Sequence, residues 1–286
     1  QQAAVLTTDE SGDSDTVSLD AGTYYVKEIT APRGYKLDPV IHPVQVDTGR
    51  TAELKVSDEP VVSPPVTLDK VDRETGEDLA LGAASLENTQ FRVNFYSGHY
   101  TKENLPKEPD RTWVVRARSA EAGNKKARSA AEEMMLPLGT ISVEEIQAPA
   151  GYLLDSIYLN SPGAGVEKLH VAKIIQNGDQ GTVEDGTEYV VADSVIRGDF
   201  ELTKIDKNTQ QPIAGVLFRI TSDTTKESHV IMTDENGHYS SSTAYAPHSY
   251  QTNGGKAGDG LWFGLDENGN SVAVDDTVGA LPYDTY

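Results

Sequence analysis

Gly-Thr-Ile-Ser-Val-Glu-Glu-Ile-Gln-Ala-Pro-Ala-Gly-Tyr fills residues 139–152, and Gly-Thr-Tyr-Tyr-Val-Lys-Glu-Ile-Thr-Ala-Pro-Arg-Gly-Tyr fills residues 22–35. Side chains two apart in a strand share one face. Ile141, Val143 and Glu145 therefore point together in one copy, and Tyr24, Val26 and Glu28 in the other. Each copy reads as a strand whose apolar face continues into a glutamate. Glu144 faces the opposite way by the same alternation, and a register slip of one residue would exchange the two glutamates.

Two more segments recur in the same way. Val-Thr-Leu-Asp-Lys-Val-Asp at 66–72 matches Phe-Glu-Leu-Thr-Lys-Ile-Asp at 200–206, and Leu-Lys-Val-Ser-Asp at 54–58 matches Tyr-Val-Val-Ala-Asp at 189–193. The spacing is that of a whole domain: Lys70 to Lys204, and Asp58 to Asp193. Elsewhere four- to eight-residue stretches alternate apolar and polar, the period of half-buried strands. The expected class is all-β. The best helical candidate is Asn124 to Met135, rich in Ala, Lys and Glu.

Cutting after each third segment divides the chain at about residues 60 and 197, the first cut falling in the stiff linker Glu-Pro-Val-Val-Ser-Pro-Pro. The expected units are 1–60, the later part of a repeat; 61–197, a complete repeat with insertions; and 198–286, the earlier part of another. The chain reads as a window onto a longer array, and its terminal units should present unpaired strand edges. Residues 198–286 of one molecule can in principle accept residues 1–60 of another, bringing Lys204 to Asp58.

Composition narrows the functional classes. With 24 Lys+Arg against 45 Asp+Glu the net charge is −21, which excludes a broad nucleic-acid surface. Cysteine is absent, so no disulfide or thiolate chemistry is available to an extracellular form. No apolar run reaches membrane-spanning length.

In all six recurring strands an ionisable residue prolongs an inward apolar face: Lys70, Lys204, Glu28, Glu145, Asp58 and Asp193. Three readings stand open. The charges lie beyond the strand ends in water; or they form buried ion pairs, which contribute little net stability; or lysine and aspartate have reacted. Burial disfavours charge on both amines and carboxyls. A neutral amine is a nucleophile, and a protonated glutamate can polarise the aspartate carbonyl and shuttle protons as an amide forms and water leaves.

Lys-x-Asp early in a unit, Glu-x-x-Ala-Pro-x-Gly-Tyr later (28–35 and 145–152) and a closing strand ending Val-x-Asp resemble the collagen-adhesin B-type (Cna-B, SpaA-like) repeat of Gram-positive surface adhesins and pilins. The resemblance covers nearly the whole chain, outside the Tyr96–Leu136 insertion and the long loops at 153–188 and 240–278. It implies tandem immunoglobulin-like, prealbumin-like β-sandwiches, each with an autocatalytic intramolecular isopeptide bond. By match, Lys70 and Asp193 form the cross-link and Glu145 promotes it. Glu28, as the promoting glutamate, and Asp58 are two members of the first unit's triad, and Lys204 is one member of the last.

The implied role is a stalk or adhesin segment, extracellular and cell-wall anchored by a part of the protein outside this segment, and not an enzyme beyond one self-cross-linking turnover. Its partners are then neighbouring repeats and a host-surface or matrix ligand, with no cofactor, no metal, no nucleic acid and no membrane span in this segment. The alternatives are a ligand-binding domain acting through residues 96–136, or an accessory module of a secreted hydrolase.

Other signals carry less. Arg197-Gly198-Asp199 spells an integrin-binding tripeptide but falls at an interdomain joint. Asp-Glu-Asn-Gly at 234–237 and 266–269 reads as a turn rather than a calcium loop, because the glycine comes too early and no glutamate closes the site. The six histidines form no His-Glu-x-x-His, and no Gly-x-Ser-x-Gly occurs. Leu281-Pro282 begins a sortase-like signal that the following residues do not complete, and Trp113 and Trp262 read as packing residues.

Overall fold

Alternating sequence becomes strand after strand in the computed structural model, which describes residues 2–119, 127–131, 136–159, 168–252 and 256–286. Residues 1–60 contribute β1 (Gly22–Lys27) and β2 (Ile41–Val46), an antiparallel hairpin. The central part supplies β3 (Val66–Asp72), β4 (Gln90–Tyr96), β5 (Arg111–Arg116), β6 (Arg118–Ser119) and β7 (Ala127–Ala131). It continues with β8 (Gly139–Gln147), β9 (Ile157–Tyr158), β10 (Leu169–Asn177), β11 (Gln180–Val183) and β12 (Glu188–Asp193). After these come β13 (Arg197–Gly198), β14 (Glu201–Thr203), β15 (Leu217–Thr221), β16 (Ser228–Met232), β17 (His238–Ser240) and β18 (Leu281–Pro282). Among the described residues the one helical element is a single 3-10 turn, Lys102–Asn104.

The ten central strands make two five-stranded sheets, β11-β10-β8-β4-β5 and β6-β7-β3-β12-β9. All pairings are antiparallel except β3 with β12, which run parallel. Parallel pairing needs a long crossover, and the rest of the central part provides it. Between the sheets lies one apolar core built from alternate positions: Val66 and Leu68 of β3, Phe91 and Val93 of β4, Ile141 and Val143 of β8, and Tyr189 and Val191 of β12, all at most 1% exposed. This is the all-β class expected from the alternation, in the two-sheet form that the resemblance implies.

Three local expectations are corrected. The centre of the Asn124–Met135 helix, Ala127–Ala131, is a strand paired from Val66↔Ala131 to Lys70↔Ala127. Helix propensity is worth at most about 0.7 kcal/mol per residue between ordinary residue types, and a ladder along the open edge of β3 outweighs it; residues 124–126 and 132–135 lie outside the described residues. The described part of 153–188 is not a loop, since β9, β10 and β11 arise in it and β10 pairs along β8; residues 160–167 lie outside the described residues. Leu54 to Asp58 forms no strand, and Leu54 and Val56 are 40% and 49% exposed. Its counterpart β12 is held by the lysine strand β3, and residues 1–60 contain no such strand.

The repeat is visible in hydrogen bonds as well as letters. Gly22↔Val46 through Val26↔His42 in the β1-β2 hairpin matches Gly139↔Ile174 through Val143↔His170 in β8-β10. Asp72 Oδ1 accepts from the amides of Glu74 and Thr75 at 2.8 and 3.0 Å, and Asp206 Oδ1 accepts from those of Asn208 and Thr209 at 2.9 and 2.8 Å. Both Asp-Glu-Asn-Gly stretches are turns of one design. The Asp234 carboxylate accepts from Asn236 and His238 amides, the Asp266 carboxylate from Asn268 and Asn270 amides, and Gly237 and Gly269 sit at φ 65° and 78°. A third copy, unrecognised in the sequence, is Asp9-Glu10-Ser11-Gly12, where Asp9 accepts from Ser11 and Asp13 amides and Gly12 has φ 85°.

Candidate functional site

Lys70 is the fifth residue of β3 and Asp193 the last of β12. Because these strands are parallel neighbours with Lys70 opposite Val191, Asp193 lies one same-face step beyond Lys70's partner. Glu145 reaches them from β8, across the sandwich. Lys70 Nζ donates to Glu145 Oε2 at 3.0 Å and lies 2.7 Å from Asp193 Oδ1, outside hydrogen-bond alignment. The three side chains are fully buried. Among the described residues Glu145 Oε1 and both Asp193 carboxyl oxygens have no hydrogen-bond partner, a costly arrangement for ionised groups.

Burial sets the electrostatics. It pushes the Glu145 carboxyl up to about 8, against the attraction of Lys70 and with help from Asp193. Burial likewise raises Asp193, with Lys70 opposing. Both acids are thus biased towards the protonated form in which they can give or pass on a proton. Tyr158 closes the site from β9, its hydroxyl donating to the Val143 carbonyl at 3.0 Å and its ring meeting Tyr189 edge-on at 6.3 Å. Glu144 instead points out and pairs with Arg92 at 3.1 Å, so the alternation assigned the two glutamates correctly.

The other three charged positions are not assembled. Glu28 is half-buried, and its carboxylate accepts the Asp38 amide at 2.6 Å. Asp58 follows an irregular stretch, and Lys204 is exposed beyond the end of β14, whose partner is β17. None of the three touches another member of a triad.

Two residues whose roles the sequence reading passed over lie next to the cluster. The Tyr152 hydroxyl donates to Asp72 Oδ2 at 2.7 Å, both groups buried. Both belong to the motifs quoted above, as the tyrosine of Gly-Tyr and the aspartate of Lys-x-Asp, so motif membership was the available signal.

Both charged side chains of Arg197-Gly198-Asp199 are engaged within the fold. The Arg197 guanidinium is 1% exposed, makes a two-pronged pair with Glu74 at 2.8 and 2.8 Å, and donates to the carbonyls of Phe263 and Ala280. It stacks 3.9 Å from the Trp262 ring centre. Asp199 Oδ1 accepts from the Ser241 hydroxyl and the Ala280 amide. An integrin-type ligand needs both charged ends free, and here both are engaged. Leu261 and Phe263 face the core of residues 198–286, while Trp262 between them enters the central core. Gly82, at φ 56°, lies so close to the last segment that a Cβ would stand 2.6 Å from the Tyr283 carbonyl oxygen.

No group of three or more metal-ligating side chains occurs among the described residues, and no helix of the described chain is long and apolar enough to cross a membrane.

Among solved structures, the Bacillus anthracis TIE protein matches with 25% identity and a TM-score of 0.54, over 82% of this chain and 36% of that one. The chain thus spans about a third of that protein's length. A C-terminal fragment of the pilus adhesin SpaC from Lactobacillus rhamnosus GG matches at 17% identity and TM-score 0.30, over 64% of this chain and 81% of that one. BcpA, the major pilin subunit of Bacillus cereus, matches at 14% and 0.27, over 82% and 74%. No curated protein is detectably similar in sequence. The SpaA prealbumin-like fold domain matches residues 1–60 and 198–280, half of the 286 residues. The chain belongs to the SpaA prealbumin-like fold domain family.

Proposed function

We propose that this chain is a structural segment of an extracellular surface stalk or pilus-type adhesin, built of tandem units divided near residues 60 and 197 and stiffened by an isopeptide bond between Lys70 and Asp193. The observation that carries this reading is the buried contact of an amine with two carboxyl groups raised by burial, in a chain without cysteine. An unreacted trio would hold charge in an apolar core that hydrophobic residues would fill at lower cost. Condensation removes that charge. Lys70 Nζ attacks Asp193 Cγ, a C–N bond forms, and a C–O bond breaks. Protonated Glu145 gives its proton to the departing hydroxyl and takes one from the nitrogen, so water leaves and Glu145 ends as it began. The 96–136 insertion supplies β5 to one sheet and β6 and β7 to the other, which favours a structural part for it over ligand capture.

The test is intact mass. Purified, folded protein should weigh about 18 Da less than its sequence, one water for one amide. An unshifted mass would remove the cross-link.

The pH dependence has a definite sign. Glu145 must be protonated to polarise the acceptor, and its folded value is raised to about 8. Conversion should therefore be fast below that value and fall as pH rises through it. In unreacted protein the same raised value means that the folded state holds the proton more tightly. The associated stability is complete below the ordinary carboxylate range and is lost as pH climbs towards about 8. Mass-resolved time courses of the first folding of protein isolated denatured and still at full sequence mass, at pH values either side of 8, would check it; a rate that rises through 8 would assign the proton shuttle elsewhere.

A further inference from the structure

Condensation between two side chains depends on placement, because misplacing reacting groups by an ångström costs on the order of a hundredfold in rate. Lys70 and Asp193 sit at or near the ends of their strands, where β-ladders fray, so something beyond the ladders must hold those ends. The candidate is Tyr152, 4% exposed, which is tied to the chain segments of all three reacting residues. Its hydroxyl donates to Asp72 Oδ2, two residues past Lys70. Its backbone forms a bridge with Val195, two residues past Asp193, flanked by Leu153 N–H to Ser194 O at 2.9 Å and Ile196 N–H to Gly151 O at 2.8 Å. It also follows Glu145 by seven residues on the segment leaving β8.

The chain contains its own comparison. Tyr35 stands where Tyr152 does, with the same backbone bonds: a bridge to Pro60, Lys36 N–H to Glu59 O at 2.8 Å and Val61 N–H to Gly34 O at 2.7 Å. Yet Tyr35 is 44% exposed, against 4% for Tyr152. Asp206 likewise makes the Asp72 turn but is only half-buried, where Asp72 is fully buried. The backbone clasp thus forms with or without the Lys-x-Asp strand, and the hydroxyl to carboxylate bond is what joins that strand to it.

We propose that Tyr152, through Asp72, is a positioning residue for the cross-link: it pins the end of the lysine strand to the end of the aspartate strand, holding Lys70 against Asp193. The role rests on the Lys70–Asp193 reading. Burial raises both partners, the phenol well above its ordinary range, so Tyr152 keeps the proton it donates.

The experiment follows water loss by intact mass during the first folding of protein isolated denatured from inclusion bodies at its full sequence mass, at matched folded content by circular dichroism. Tyr152→Phe, which removes one oxygen, should convert about tenfold slower or worse. Asp72→Ala should slow to the same degree, and the double variant no further, since both lose one bond. Asp72→Asn, which can keep a hydrogen bond to the phenol, should recover most of the rate, and Tyr35→Phe should match wild type. A purely structural role would lower folded content in step with conversion instead of slowing conversion in folded molecules. Wild-type rates for folded Tyr152→Phe overturn the positioning role alone. A wild-type protein that never loses water overturns the cross-link, and the positioning role with it.

Discussion

Glu145→Ala is expected to leave folded protein at its full sequence mass, with Lys70 and Asp193 adjacent but unjoined, and to melt far below wild type. Two effects add. The bond closes a loop of about 123 residues, and the chain-entropy relation assigns such a cross-link roughly 4–5 kcal/mol, less any native strain. The variant also keeps an amine and a carboxyl that are fully buried with no amide between them, which carries its own desolvation cost. Faster proteolysis should accompany the lower melting point, because cleavage tracks the open population. Glu144→Ala is the control: that side chain pairs with Arg92 while 38% exposed, and exposed pairs are worth about 0–1 kcal/mol. It should lose water and melt like wild type. If Glu144→Ala instead keeps full mass and Glu145→Ala loses water, the proton shuttle is misassigned.

Trp262→Ala is expected to have the second-largest effect, at the joint rather than the cross-link. The ring is fully buried in the central core although it belongs to residues 198–286. Its indole N–H donates to the Tyr250 hydroxyl at 3.0 Å, and Arg197 stacks on its face. Truncating a buried tryptophan typically costs about 3–5 kcal/mol through lost transfer energy and the cavity left behind. Here the cavity would open between two cores, and the Arg197–Glu74 pair would lose its cover. Denaturant unfolding followed by tyrosine fluorescence should show a lower first midpoint, with the transitions of the two parts separating. A loss below about 1 kcal/mol with one unchanged transition would mean that the ring contributes little to the joint. The bond between Lys70 and Asp193 should still form, since Trp262 touches none of the three reacting groups.

Much of the Lys70–Glu145–Asp193 cluster was legible because strands convert sequence into geometry by a simple rule. A period of two places Val66, Leu68 and Lys70 on one face wherever the strand lies, and the same rule separates Glu145 from Glu144. Recurrence of the three segments identified which strands belong to one unit. The rule failed where a strand needs a partner that the nearby sequence does not contain. Leu54 to Asp58 carries the right letters, but its counterpart β12 is held by the lysine strand β3. Ala127–Ala131 carries helical letters, but the edge of β3 offers it a ladder.

What the sequence by itself determined is therefore the class of the fold, the repeat and six candidate ionisable positions, because these follow from local periodicity and from matching short segments; the tertiary structure decided that only Lys70, Glu145 and Asp193 are buried together. Only the tertiary structure decided that the Arg197-Gly198-Asp199 tripeptide is closed within a joint, that Trp262 belongs to its neighbour's core, and that Tyr152 reaches Asp72. These contacts join residues separated by 123, more than 60 and 80 positions. Alternation says which way a side chain points within its own strand; it carries no information on which distant surface the chain brings opposite. That depends on how the sheets twist and on where the connections return.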